Sequence, residues 1–233
     1  MIRNPAVKWV FFALFAALFA ADLWLVVTGR IQPFDEAILK AIISTRTDLL
    51  TIRFMAVTFC GNSWTVVGLC IFIVILPGRM KIGIPVSLAV AAGSLVQTIF
   101  KTLVARPRPD AAGWLVEEST YSFPSGHSNI SIIFWVALLV LLGRVLISKD
   151  RVFAAVFLQI CFAALAVLIG FSRMYLGVHY PSDVLGGWLL AGALLIVFFA
   201  VYDNIWPAKW RVPAGVRPRA YSFDLPATLP TEF

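Results

Sequence analysis

Charge is scarce in this chain. Asp, Glu, Lys and Arg make up 13% of its 233 residues, against 61% hydrophobic. A soluble domain of this size cannot hide that much apolar surface. Lipid is the better solvent, and the chain reads as an integral membrane protein. Cysteine is scarce too. Cys60, Cys70 and Cys161 all fall in apolar runs without metal-ligand spacing, and read as small hydrophobes within helices. There is no carboxylate cluster suited to Mg²⁺, so no metal and no cofactor are expected. There is no Ser or Cys triad pattern and no internal repeat. The first apolar stretch is followed by no small-x-small pair; the candidates join Leu18 to Ala20 or Phe19 to Ala21. It is therefore expected to stay as an anchor rather than leave as a signal peptide.

What the chain has in plenty is long apolar segments. Six are long enough to span: about 7–28, 54–76, 82–104, 126–147, 152–171 and 184–203. Each approaches the roughly 20 residues that a bilayer core requires. Asp22 stands inside the first, and is expected near an interface or against another helix rather than in catalysis. Six spans put both termini on one side. The net charge of +7 is informative through its placement. Eleven Lys and Arg fall on the side of the termini and eight on the other, so the termini are expected in the cytoplasm. In "FDEAILKAII", Phe34, Ile38, Ala41 and Ile42 form one helical stripe, with Asp35, Glu36 and Lys40 off it. This predicts a short amphipathic helix on the outer membrane surface. The fold class expected is all-α: a polytopic membrane protein with six transmembrane helices in a bundle, plus that helix. Residues 1–205 form one domain, and 206–233 an irregular, proline-rich cytoplasmic tail.

Three polar stretches then share the outer face. In "KTLVARPRPD", Pro107 and Pro109 stop a helix after Lys101 and return Arg108 on extended chain. Arg offers a planar fork and Lys a point charge to phosphate oxygens; snorkelling cations would look the same. In "FPSGHSN", Pro124 or Ser125 opens a helix whose free N–H groups, with Gly126 allowing close approach, make an anion site beside His127. A plain cap with an incidental histidine is the alternative. In "FSRMYLGVHYPSDVLGG", Pro181 suits a first helical position and Asp183 the first turn. A carboxylate there also suits orienting His179, leaving its other nitrogen free to attack. Arg173, at a span end, needs a partner that a phosphate would supply. The only two histidines of the chain, His127 and His179, both lie in these stretches. Positive charge without metal ligands points to phosphoryl transfer in which the protein neutralises the developing charge.

These stretches resemble the type 2 phosphatidic acid phosphatase (PAP2) superfamily. Its three signatures, Lys-x6-Arg-Pro, Pro-Ser-Gly-His and Ser-Arg-x5-His-x3-Asp, read here as "KTLVARPRP" (101–109), "PSGH" (124–127) and "SRMYLGVHYPSD" (172–183). All are complete and in order. The resemblance implies a membrane lipid phosphatase with active-site segments 101–127 and 172–183 on the extracytoplasmic face. It implies that His179 is the nucleophile and becomes a phosphohistidine, that Asp183 orients it, and that His127 protonates the leaving oxygen. Lys101, Arg108 and Arg173 would hold the phosphoryl oxygens, with donors from Ser125 and Gly126. The substrate expected is a lipid phosphate: a polyprenyl diphosphate, phosphatidylglycerophosphate, phosphatidic acid or a lipid A phosphate. The bilayer is the other partner; no nucleic acid is expected. Soluble haloperoxidases share the pocket, but six spans argue against them. A lipid phosphotransferase with the same motifs remains an alternative. A transporter fits less well, because its polar residues belong at mid-bilayer rather than at span ends.

Overall fold

The computed structural model describes residues 5–147 and 149–205. Eight helices follow one another: α1 (Pro5–Val27), α2 (Gln32–Ile43), α3 (Asp48–Phe59), α4 (Ser63–Ile75), α5 (Gly83–Val104), α6 (Gly126–Ile147), α7 (Val152–Tyr175) and α8 (Pro181–Ile205). Among the described residues there is no strand. Helices α1, α5, α6, α7 and α8 are each long and apolar enough to cross a bilayer, and α3 with α4 makes a sixth candidate if the bent pair is one crossing. The chain is a multi-pass membrane protein. Exposed Trp9, Phe11 and Leu14 on α1, and Phe153, Phe157 and Ile160 on α7, carry the apolar surface that lipid would cover. The tail expected over 206–233 lies outside the described residues.

Helix α6 is the axis of the bundle, packed against α5, α7 and α8, while α1 lies on α8 and α3 on α7. The main core joins Val66 of α4, Val86 and Val90 of α5, Ile133, Phe134 and Ala137 of α6, and Ala191 and Leu195 of α8. A second cluster, with Phe19, Phe123 and Leu189, seats α1 beside the polar end of the bundle.

Two local features add to these expectations. The apolar run 54–76 is not one straight span. It breaks at Cys60–Asn62, where Asn62 accepts the N–H of Trp64 at 2.9 Å and starts α4, bent 45° from α3. Gly61 is needed at the bend, because a Cβ there would come within 2.6 Å of the Ser131 hydroxyl and overlap Ile169. On α2 the face turned to the protein is distinct from the apolar stripe expected at the membrane surface. Phe34 and Ala41 are exposed, and the buried positions are Asp35 and Leu39. A charged residue faces inward because a cation waits for it there.

Candidate active site

The three polar stretches meet at one end of the bundle. The first is turned back by its prolines. Helix α5 ends at Val104, and Ala105 takes a left-handed conformation (φ 48°) with its N–H on the Lys101 carbonyl at 3.0 Å. Arg106, which precedes Pro107, leaves the helix, and Arg106 and Arg108 reach back under the bundle. The second stretch begins α6 at Gly126. Ser125 caps it: its Oγ accepts from the Ser128 N–H at 3.4 Å and from the Ser128 hydroxyl at 2.9 Å. The third joins the end of α7 to α8, with Pro181 as the first residue of α8 and Asp183 in its first turn. Gly187 lets α8 approach the start of α6, since a Cβ there would lie 2.7 Å from the Ser125 carbonyl oxygen.

His179 stands at the centre, 1% exposed. Its Nε2 lies 3.1 Å from Arg108 Nη1 and its Nδ1 3.4 Å from Asp183 Oδ2. Arginine only donates, so Nε2 is the acceptor nitrogen and the ring proton sits on Nδ1, facing the carboxylate. Burial pushes the imidazole well below its ordinary range, and the Arg108, Lys101, Arg173 and Arg106 charges push the same way. His179 is thus a neutral imidazole with its lone pair turned toward a cation.

Asp183 is held more tightly by other groups than by His179. Its Oδ2 accepts the Tyr180 N–H at 2.8 Å and a very short bond from the Ser122 hydroxyl, and its Oδ1 accepts from Arg106 Nη1 at 2.8 Å. Arg106 in turn donates to Asp35 Oδ2 at 2.7 Å, the Ser182 hydroxyl at 2.7 Å and the Gln32 side-chain Oε1 at 2.8 Å, with its guanidinium over the Tyr180 ring. Asp35 completes the circuit by accepting the Ser182 N–H at 3.0 Å. Arg106, one of the eight cations on the side opposite the termini, is therefore the anchor of the site carboxylate. Inward-facing Asp35 is what makes its burial tolerable.

The other expected residues gather around His179. Arg173 is 2% exposed, donates to the Thr58 hydroxyl at 2.8 Å and bonds to Glu118, and its Nε has no partner among the described residues. Arg108 also donates to the Val178 carbonyl at 2.8 Å. Lys101 donates to the Tyr121 carbonyl at 2.6 Å. His127 is close enough to Arg173 and His179 for their charges to act on it, and among the described residues no side-chain hydrogen bond ties it down. One expectation is narrowed. The Ser125 N–H is spent on the Asp183 carbonyl at 2.9 Å, which leaves the N–H groups of Gly126 and His127 as the free backbone donors of this helix start. Glu118, Ser122, Arg106 and Asp35 were missed by sequence reasoning. For Arg106 and Asp35 a signal existed: a charged residue beside a proline pair and another within an apolar stretch, each needing an opposite charge.

Residues 82–207 match the family model described as PAP2 superfamily, a segment that holds all three stretches. The chain belongs to the PAP2 superfamily. Phosphatidylglycerophosphatase B of Bacillus subtilis is 33% identical over 203 residues, covering 85% of this chain and 93% of that protein. An undecaprenyl-diphosphatase of Sulfolobus acidocaldarius is 30% identical over 135 residues, 56% of this chain and 60% of its own length. The crystal structure of a transmembrane PAP2-type phosphatidylglycerolphosphate phosphatase from Bacillus subtilis superposes with a TM-score of 0.71 at 28% identity, covering 89% of this chain and all of that one. These relatives are phosphatases of lipid phosphates.

Proposed function

We propose that this PAP2 membrane protein removes the terminal phosphate of a lipid phosphate or polyprenyl diphosphate, through a phosphohistidine on His179, at the extracytoplasmic face. One observation carries the reading: a buried, neutral His179 directs an unprotonated Nε2 at Arg108, while the unpartnered Nε of Arg173 marks a second donor of the same site. A phosphoryl group between these cations would present phosphorus to Nε2.

The Nε2 lone pair forms a bond to phosphorus, the bond from phosphorus to the lipid oxygen breaks, and that oxygen takes a proton from His127. Lys101, Arg108 and Arg173, with the free N–H groups of Gly126 and His127, take up the charge on the equatorial oxygens. Asp183 balances the positive charge that His179 acquires. Water then attacks phosphorus, gives its proton to His127, and the N–P bond breaks to release phosphate. Substrate approaches through a cavity of about 670 Å³ beside α5, lined among others by Thr98, Lys101, Thr102, Arg108, Trp114 and Tyr121.

The test is turnover by the purified protein on a panel of phosphatidylglycerophosphate, phosphatidic acid, a polyprenyl diphosphate and lipid A. Phosphate release that survives EDTA and is inhibited by vanadate, which resembles the transition state, is expected. Loss with EDTA and restoration by Mg²⁺ overturns the histidine mechanism.

A further inference from the structure

The cations assigned to phosphate are already occupied, and by one short piece of this chain. Glu118 bonds Arg173 Nη2 through Oε1 and Arg108 Nη2 through Oε2, the latter at 3.1 Å. Thr120 accepts from Arg108 Nε at 2.7 Å through its carbonyl and lies 3.4 Å from Nη2 through its hydroxyl. Tyr121 accepts from Lys101 through its carbonyl. Thus residues 118–121 put five oxygens against all three cations. Two of them, a carboxylate fork across two guanidiniums, match how a phosphate would bind. The same segment lines the 670 Å³ cavity, whose lining includes neither histidine.

We propose that Glu118 is a specificity-determining residue: its carboxylate is an internal competitor for the phosphate site, which only a doubly charged terminal phosphate displaces. The inference rests on the phosphate-site reading above. Its logic is charge. A terminal phosphate carries close to two negative charges near neutral pH, its second pKa being about 6. A phosphodiester headgroup carries one. Exchanging the Glu118 carboxylate for a diester replaces one negative charge by another and gains nothing. Exchanging it for a terminal phosphate gains a charge between Arg108 and Arg173. In a membrane made of phosphodiester lipids, such a competitor keeps the commonest phosphates out, and repulsion does the discriminating. It also gives two neighbouring buried guanidiniums a counter-charge between turnovers.

The experiment measures inhibition of the full-length protein in detergent micelles by orthophosphate and by phosphatidylglycerol, at fixed total surface concentration. Wild type is expected to be inhibited by orthophosphate and little affected by phosphatidylglycerol. In Glu118→Gln, orthophosphate should inhibit roughly tenfold more tightly and phosphatidylglycerol should become a competitive inhibitor. Orthophosphate should also raise the melting temperature of Glu118→Gln more than that of wild type, because binding now supplies the missing counter-charge. Glu118→Asp keeps the charge on a shorter arm, and its inhibition constant should fall between the two. This variant decides the matter if Glu118→Gln does not fold. Unchanged or weaker orthophosphate inhibition in the folded variants, beside normal wild-type turnover, overturns the competitor and leaves the site reading intact. Wild type without turnover or orthophosphate inhibition overturns both. A purely structural Glu118 lowers the melting temperature without altering inhibition, which also refutes the proposal.

Discussion

His179 and His127 occupy the same site under different constraints, and their chemistry should separate accordingly. His179 is clamped between Arg108 and Asp183, whereas His127 is free to meet a leaving group. A nucleophile is needed whatever leaves, so His179→Ala should abolish turnover of every substrate. A general acid is worth roughly 10²–10⁴-fold, in proportion to the basicity of the leaving oxygen. His127→Ala should therefore lose far more activity on a lipid phosphomonoester than on p-nitrophenyl phosphate; equal losses on both would remove His127 from the acid role. The pH profile carries a second prediction. Burial and neighbouring cations hold His179 below its ordinary 6.5, so the neutral nucleophile persists as pH falls. The acid limb of kcat/KM due to this group should lie below 6.5. Arg108→Gln removes one cation that disfavours the imidazolium, so the limb should move up toward 6.5, while activity falls. A limb that stays put or moves down contradicts the assigned geometry.

Among elements, α2 has the least obvious role and a strong link to the chemistry. It is a short helix off the bundle, yet its Asp35 ties Arg106 and the first turn of α8 together. Asp183 depends on that tie, because Arg106 is its closest charged partner. Asp35→Ala leaves a guanidinium that is 6% exposed with Asp183 as its one remaining carboxylate. Breaking a buried pair by removing one partner costs about 3–5 kcal/mol. A clear fall in melting temperature in detergent is expected, together with lower activity, as Arg106 and Asp183 shift. Asp35→Asn retains hydrogen bonding and should lose less. A melting temperature unchanged in Asp35→Ala would mean that α2 merely rests against the bundle.

At the scale of the whole molecule, the site sits at one end of the bundle, where α5, α7 and the starts of α6 and α8 converge, and the cation split is the ground for proposing that this end faces outward. A reporter fused after Phe233 should read cytoplasmic, and one inserted near Gly113, in the connection from α5 to α6, should read external. An external C-terminus would reverse the assigned face of the site. The bundle also explains why a chain so short of charge keeps Arg106, Asp35, Arg173 and Asp183 buried. Each is hydrogen-bonded to another charged group, which lowers the cost of holding it away from water.

The solvent made most of this architecture legible without coordinates. A bilayer demands apolar runs of about 20 residues with satisfied backbone, so the long helices are written in composition alone. The three polar stretches were legible for a related reason: each is contiguous, and prolines, glycine and a capping serine mark where a helix must stop or start. What depended on distant partners was not legible. Asp35 meets Arg106 across 71 positions and Ser182 across 147, and nothing in local periodicity predicts such pairs. Which face α2 turns to the protein was not legible either, because burial of Asp35 there follows a charge pair rather than hydrophobicity. The bend at Gly61 is set by the side chains of Ser131 and Ile169, which only packing brings near. The bridge made by Glu118 is likewise tertiary: one carboxylate beside Asp110 and Glu117 in a polar connection means little until tertiary structure places the guanidiniums of Arg108 and Arg173 on either side of it. Local sequence determined which groups could do chemistry; tertiary structure decided which charges they answer to, because Coulomb energy depends on distance in space and not along the chain.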